Sequence, residues 1–423
     1  MKNQILDIFK ENLLIKVSFL LILFFPIILL SGSAVINLAI VILNVFLLIH
    51  IFKEKKIKIF NNDIFYFLLA LWGLLILNTL LNENFIDNYS RGFGFIRFIL
   101  LIFSFSYFIS YKNFRFKKTI FDIWTIIFII VSLDLIFEFF LGFNSLGFKS
   151  AYQGRLSGFM GDELKIGHWY LCFSLIILSN NFNNHKKFYF FIILLLIVSF
   201  MIGERANFIR LVFATFFFLL FTKRLTFKSI GVLLIVFSII AIIGKNSHAI
   251  IKSRFIDNTF GHLISSSSFK EYNEHNPYTP MYITAYEIFK DNKIIGVGLG
   301  SYLERSHEFF RQFSYDTPNM INKRFNGYII KPGTHPHQHH FEILATMGLT
   351  GYLFLLAFLL YFFYKSIKFY KKNGDNINLS SFLIILAFCI PFLPTGSFFT
   401  TYGASIFWLN FSLMNLGNFK NIN

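Results

Sequence analysis

The stretch AVINLAIVILNVFLLIHIFKEKKIK, residues 34–58, joins a long apolar run to a cluster of lysines. The run reaches the length of about 20 residues that an α-helix needs to cross the hydrocarbon core of a bilayer. The lysines of KEKKIK, residues 53–58, are costly to bury in hydrocarbon, so they mark a membrane surface. The stretch therefore predicts one transmembrane helix and its exit from the bilayer.

The whole chain has the composition of a polytopic membrane protein. Of 423 residues, 55% are hydrophobic and 14% are charged, and the mean hydropathy is +0.61. Soluble domains carry about 25% charged residues. The net charge of +17 comes mostly from short loops between apolar runs, so a nucleic-acid partner is not expected. Cys172 and Cys389 both lie in apolar runs, which argues against a disulfide or a thiolate metal site.

Apolar runs separated by polar breaks predict an all-α fold with about twelve transmembrane helices. The approximate ranges are 15–31, 34–52, 64–81, 93–110, 119–141, 164–179, 188–203, 206–221, 229–244, 341–364, 379–395 and 402–417. The first is too long for a signal peptide and a second follows at once, so we interpret it as an uncleaved span. We divide the chain into helices 1–9 (1–244), a loop domain (245–340) and helices 10–12 with a tail (341–423).

The distribution of lysine and arginine predicts the orientation. Basic residues concentrate in every second connection, namely residues 53–58, 111–118, 185–187, 222–228 and 365–372. Cytoplasmic loops carry an excess of Lys and Arg. Both termini are therefore predicted in the cytoplasm, and the long loop before the tenth span on the opposite side.

The long loop has the patterning of a folded unit. Residues 281–292 and 301–313 have helical periodicity, and GVGLG, residues 296–300, predicts a turn between them. Connections of this length usually carry function.

Charged residues within the spans lie at one depth. Arg97, Asp134, Glu138, Glu204, Arg205 and Arg210 fall within roughly 5–12 Å of the outer surface, at about 1.5 Å per residue. One interpretation is that each side chain snorkels to the headgroups. The other, which both signs at one level favour, is an outward-facing polar pocket. Arginine in such a pocket suits a diphosphate, because its planar fork stays charged.

Four histidines, His335, His337, His339 and His340, end the long loop. Three interpretations are open. The histidines could be solvated at the membrane interface, or they could bind a metal, although the nearby acidic residues show no clear ligand spacing. Alternatively, one of them could act as a general base. Imidazole suits the last role because its ordinary pKa lies near 6.5.

Four segments in register resemble the O-antigen ligase and polymerase family. HPHQHHFEILATMGLTGYLFLL, residues 335–356, is similar to the His-Asn-x-x-Leu…Gly-(Leu/Ile)-x-Gly signature, with His337 and Gln338 on the His-Asn pair. The other segments are YQGRLSGFMGDELKIGHWYL (152–171), MIGERANFIRLVFA (201–214) and AYEIFKDNKIIGVGLGSYL (285–303). The resemblance covers residues 150–360.

This resemblance implies a GT-C-like membrane enzyme that transfers a glycan from undecaprenyl diphosphate, with inversion and without metal or cofactor. His337 would be the base and Arg205 would hold the diphosphate. Further substrate contacts are expected from Arg97, Arg155, Arg210, Arg254, His335 and Gln338, and pocket electrostatics from Asp134, Glu138 and Glu204. The sequence departs from the family pattern at two places. Gln338 stands where the family has an asparagine, and residues 276–282 lack the family's second arginine. Arg254, Lys270, Arg305 or Arg311 could take the place of that arginine.

Three functions remain open at this point. A ligase would pass the glycan to the lipid A core, whereas a polymerase would pass it to a lipid-linked oligosaccharide; ligase is favoured. Both place the protein among membrane lipids in the bacterial inner membrane, with a periplasmic active site. A secondary transporter with twelve spans is the alternative from another class.

Overall fold

The computed structural model describes residues 7–8, 10–81, 85–161, 163–246, 268, 271–273, 276–312 and 323–419. We number the helices of this part in chain order. They are α1 (Leu13–Leu23), α2 (Phe25–Ile28), α3 (Ser33–Lys53), α4 (Asp63–Leu80), α5 (Phe85–Gly94), α6 (Ile96–Phe114), α7 (Lys117–Leu141), α8 (Ile166–Asn180), α9 (His185–Met201), α10 (Arg205–Phe221), α11 (Phe227–Asn246), α12 (Thr279–Asp291), α13 (Tyr302–Gln312), α14 (His339–Asn373), α15 (Asn376–Phe388) and α16 (Thr401–Met414). Two short strands, Lys323–Phe325 and Tyr328–Ile330, pair as an antiparallel hairpin.

The helices form a bundle with a buried centre and an apolar outer surface. Helices α8, α15 and α16 are buried along almost their whole length. The outer helices expose large apolar side chains such as Leu38, Leu133, Leu234 and Leu353. An apolar surface of this extent is stable in contact with lipid. Among the residues that the structure describes, six helices are long and apolar enough to cross a membrane. This confirms the all-α membrane class, while the count of twelve spans stays a prediction.

Each predicted span overlaps a helix, with three differences. The first span is divided into α1 and α2, because Pro26 has no amide proton and starts a new helix. The eleventh predicted span, 379–395, is helical only as far as Phe388, where α15 ends. Helix α5 forms in a segment that was predicted as a loop.

Ion pairs bring the predicted basic connections to one end of the bundle, here called the basic face. Lys117 lies 3.4 Å from Asp375, and Arg115 lies 2.6 Å from Asp7. Lys365, in the last third of α14, pairs with Asp63. The opposite end, where α14 begins and α12 packs against it, is called the loop face.

The loop domain is anchored in a break of α14. At Gly348 the helix is interrupted by a φ of 63°. The segment 293–298, which overlaps the turn predicted at 296–300, lies in the break and bonds to the freed backbone groups. The bonds are Leu349 N to Lys293 O (2.8 Å), Thr350 N to Ile294 O (3.1 Å), Val297 N to Ala345 O (2.9 Å) and Gly298 N to Thr346 O (2.8 Å). Asn78 of α4 donates to Ile295 O at 2.6 Å and accepts from Leu299 N at 3.1 Å.

We expect Gly296→Ala to destabilise the protein by about 2 kcal/mol or more. Gly296 has a φ of 70°, and a Cβ there would overlap the backbone of Thr346 and Met347. The thermal midpoint of the purified protein in detergent measures the effect. Gly231→Ala is the control, because Gly231 has free space around it. Equal midpoints for the two variants would contradict this account of the junction.

Candidate active site

A cavity of about 1860 Å³ opens at the loop face. Its walls come from α3, α5, α6, α8, α10, α12 and α14 and from the connection between α15 and α16. A cavity of this size exceeds the roughly 300–1,000 Å³ of ordinary small-ligand sites. It therefore has room for more than one large polar group.

The connection between α15 and α16 bridges the two helices that carry the histidines. Thr395 N donates to His337 O at 2.7 Å, and Gly396 N donates to His168 Nε2 on α8 at 3.2 Å. Phe398 N donates to Glu342 Oε2 on α14 at 2.7 Å. Residues 395–398, here called the bridging segment, thus fix the relative positions of α8 and α14.

Arg210 organises this connection and does not line the cavity. Its guanidinium is fully buried and donates to Ala387 O at 3.0 Å, Leu393 O at 2.9 Å and Pro394 O at 2.8 Å. These bonds account for the early end of α15, because the carbonyls bind arginine instead of continuing the helix. The predicted substrate contact at Arg210 is therefore corrected to a structural role.

Arg155 and Arg205 form a cationic group in the first lobe, the part of the cavity lined by Arg155, His168, Glu204, Arg205 and Tyr278. Arg155 lies 2.7 Å from Glu204 Oε1, and its Nε is buried without a hydrogen-bond partner. Its charge is close enough to interact with those of Arg205, His168 and His337. Among the described residues named here, two guanidiniums and one carboxylate line the lobe, which makes it a candidate for binding an anion.

His337 lines the same lobe from the segment before α14. Its ring centroid lies 5.6 Å from that of Tyr278 and 4.1 Å from that of His335. Its backbone has a φ of 55°, a conformation that is uncommon for a non-glycine residue and clusters at functional sites. Burial, followed by the nearby charges of Lys331 and Arg155, lowers the pKa of His337. The imidazole is therefore neutral near pH 7 and able to accept a proton.

The other three histidines of the cluster differ in their surroundings. Burial lowers the pKa of His335 to about 3, and its Nε2 has no hydrogen-bond partner among the residues that the structure describes. His339 lines the cavity beside Phe398. His340 does not line it, because its ring lies 3.1 Å from Tyr352 Oη and 2.9 Å from Cys389 O. Within the described part of the chain, no three His, Cys, Asp or Glu residues group in a way that could hold a metal.

Gln338 caps a helix instead of facing the cavity. Its Oε1 accepts from His340 N at 2.6 Å and from Phe341 N at 3.3 Å, which satisfies free amides at the start of α14. The predicted substrate contact at Gln338 is corrected accordingly. The cap holds His337 and His339 on either side of the helix start.

Glu138 and Asp134 also lie outside the cavity lining. Glu138 accepts from Ser157 N at 3.0 Å and Gly158 N at 2.7 Å, and Asp134 accepts from Ser145 N at 2.9 Å. The expected pocket electrostatics at these two residues are corrected, because both carboxylates bind the backbone of the α7–α8 connection. That connection carries Arg155, so they act on the cavity only by positioning it.

Some of the remaining predicted site residues line the cavity, and others fall outside the residues that the structure describes. Glu204 and Arg97 line the cavity, but Arg97 lies in a different part of it from Arg205, as described below. Arg254 and Lys270 fall outside the described residues. The sequence interpretation missed His168 and Tyr278, both beside His337 or Arg205. A histidine one turn inside an apolar span was the available signal for His168; Tyr278 had none.

A protein-family model described as O-antigen ligase matches residues 190–356. These residues therefore form a domain that is similar to the O-antigen ligase family. The O-antigen ligase domain extends from α9 to the middle of α14, so it includes Arg205 and His337 as well as the glycine junction. Arg155 and the bridging segment lie outside it. No curated protein matches the chain.

Proposed function

We propose that this protein is an inverting glycosyltransferase of the O-antigen ligase family. It transfers a glycan from undecaprenyl diphosphate to an acceptor sugar hydroxyl, without metal or cofactor. The observation that carries the proposal is that Arg205 and His337, far apart in sequence, line one cavity. The basic face lies in the cytoplasm by the positive-inside rule, with both termini there, so the cavity opens to the periplasm of the bacterial inner membrane.

The first lobe is suited to a lipid-borne diphosphate. Arg205 and Arg155 offer charged, forked donors, which bind phosphate oxygens in pairs. Ile209, one turn along α10 from Arg205, lines the cavity and is 42% exposed on the apolar outer surface. The prenyl chain leaves the lobe beside Ile209 and stays in the bilayer.

The reaction is a direct displacement at the anomeric carbon. The acceptor hydroxyl gives its proton to the neutral imidazole of His337 as its oxygen bonds to that carbon. The bond from the carbon to the phosphate oxygen breaks, and undecaprenyl diphosphate leaves with the electron pair. Arg205 stabilises the charge that develops on the leaving oxygen. The glycosyl diphosphate supplies the driving force.

The pH dependence of transfer should report the buried histidine. Burial lowers the pKa of His337 from its usual value, so the imidazole is half protonated only below pH 6.5. We expect the acid limb of kcat/KM to have its midpoint below pH 6.5. An acid limb centred above pH 7 in the profile of purified enzyme would contradict this assignment.

An assay of glycan transfer in proteoliposomes tests the proposed function and distinguishes a ligase from a polymerase and from a transporter. The donor is undecaprenyl-diphosphate-linked glycan, offered with phosphorylated lipid A core or with a lipid-linked oligosaccharide. We expect product on the lipid A core, as a ligase makes. Product on the oligosaccharide alone would assign a polymerase, and movement of donor across the membrane without a new glycosidic bond would assign a transporter.

A further inference from the structure

The cavity lining includes a second basic group, here called the second lobe, which consists of Ser33, Asn37, Arg91, Arg97 and Thr401. These residues come from α3, α5, α6 and α16, and α6 packs against α3, α4 and α16. The helix of Arg205, α10, packs instead against α8, α9 and α15. Glu342 accepts from Ser397 and Phe398 of the bridging segment and interacts electrostatically with Arg91, so it connects the two groups.

The second lobe is positively charged and incompletely bonded. The Nε atom of Arg97 is buried without a partner, while its Nη1 donates to Gly94 O at 2.6 Å and its guanidinium stacks on Phe98. Arg91 is exposed and reaches the cavity. Among the described residues, neither guanidinium forms an ion pair with a carboxylate. The charge of Arg91 is close enough to interact with that of Glu342, whereas the part-buried guanidinium of Arg97 gains from an anion near the membrane.

The N-terminus of α16 adds hydrogen-bond donors that suit an anion. Thr400, Thr401 and Tyr402 line the cavity at the N-terminus of this fourteen-residue helix, where backbone amides are free and the helix dipole favours an anion. Asn37 of α3 bonds Thr401 Oγ1 at 3.1 Å and fixes this end of the helix against α3. The chemistry of the lobe fits a phosphate group.

The second lobe also reaches the lipid-facing surface. Val41 of α3 lines the cavity and is 46% exposed, close to the exposed side chain of Leu38. A ligand bound by its phosphate at Arg91 and Arg97 can therefore keep an acyl or prenyl anchor in the bilayer. The first lobe has its own apolar edge at Ile209, so the cavity has two separate contacts with the lipid.

We propose that the second lobe binds the acceptor, a phosphate-bearing glycan on a lipid anchor, through Arg91 and Arg97. This inference rests on the proposed transfer and assigns the substrate class of its second site. It also gives inversion a structural basis, because an in-line displacement needs the nucleophile opposite the leaving group. The acceptor hydroxyl reaches His337 from the second lobe while the diphosphate leaves into the first.

Acceptor binding in nanodiscs tests the assignment without depending on turnover. All proteins carry Arg205→Ala, which weakens binding at the first lobe to the same extent in every sample. The probes are phosphorylated lipid A core, the same lipid after phosphatase treatment, and an undecaprenyl-diphosphate-linked oligosaccharide. We expect Arg91→Gln with Arg97→Gln to weaken binding of at least one phosphorylated probe by about tenfold or more.

Matched variants and probes make each outcome informative. Arg91→Lys with Arg97→Lys keeps both charges and should bind within about threefold of its parent, which reports an intact fold. The phosphatase-treated lipid should bind the Gln and parent proteins equally. If the Gln variant loses binding of only the lipid A core, or of only the diphosphate oligosaccharide, the affected probe is the acceptor. Either result supports the assignment.

Equal binding of both phosphorylated probes by the parent and the Gln variant would overturn it. Absence of transfer by the wild-type protein would instead sink the proposed function while these binding results still stand.

Discussion

His337→Ala should lower glycan transfer by about 10²–10⁴-fold while the protein still inserts and accumulates. His337 is the cavity imidazole that is both near the cationic group of Arg155 and held by the backbone of Thr395. Without it, the acceptor hydroxyl keeps its proton as it attacks, and the displacement loses its base. Initial rates in proteoliposomes with defined donor and acceptor measure the loss.

His307→Ala is the matched control for this variant. His307 lies exposed on α13 in the same loop domain and does not line the cavity, so its removal should leave the rate unchanged. Near-normal transfer by His337→Ala would remove the base role from this residue. If His335→Ala were then inactive, the role would move to His335, whose ring centroid lies 4.1 Å away.

Arg205→Ala should lower transfer by about 10²–10³-fold, the usual cost of losing a charged donor at a developing anion. Arg205→Lys keeps the charge but loses the planar fork, so we expect it to recover only part of the rate. The decisive readout is the split between kcat and the KM for donor. A residue that holds the diphosphate and stabilises its departure should affect both.

Arg115→Ala serves as the control for a lost arginine. Arg115 lies at the basic face, where it pairs with Asp7, so its removal should not change the kinetics of transfer. A donor KM and kcat in Arg205→Ala equal to those of Arg115→Ala would contradict the role of Arg205.

Most of the membrane architecture could be predicted from the sequence. The cost of placing charge in hydrocarbon sets both the length of each apolar run and the position of each basic loop. The predicted spans 34–52 and 119–141 illustrate this, since the observed helices Ser33–Lys53 and Lys117–Leu141 differ from them by no more than two residues at either end. The contact between residues 293–298 and the break at Gly348 was not predictable, because it depends on backbone groups meeting over a long sequence separation.

The candidate site could be predicted only in part, because the sequence shows how deep a charged residue lies but not what it binds. Depth alone showed that Arg205, Arg210 and Glu138 would need partners, but not which partners. Arg205 faces the cavity, whereas Arg210 binds backbone carbonyls and Glu138 binds backbone amides. A buried charge satisfied by backbone leaves no sequence signal, since every residue offers the same groups. The second basic lobe was likewise not predictable, because it depends on the packing of α6 against α16.

The most direct test of the central claim is a structure of the protein in a lipid nanodisc with undecaprenyl diphosphate bound. We predict density for the diphosphate in contact with the guanidinium of Arg205, in the lobe lined by His337, with the prenyl chain leaving past Ile209. Diphosphate density on the far side of the bridging segment, or outside the cavity altogether, would contradict the account.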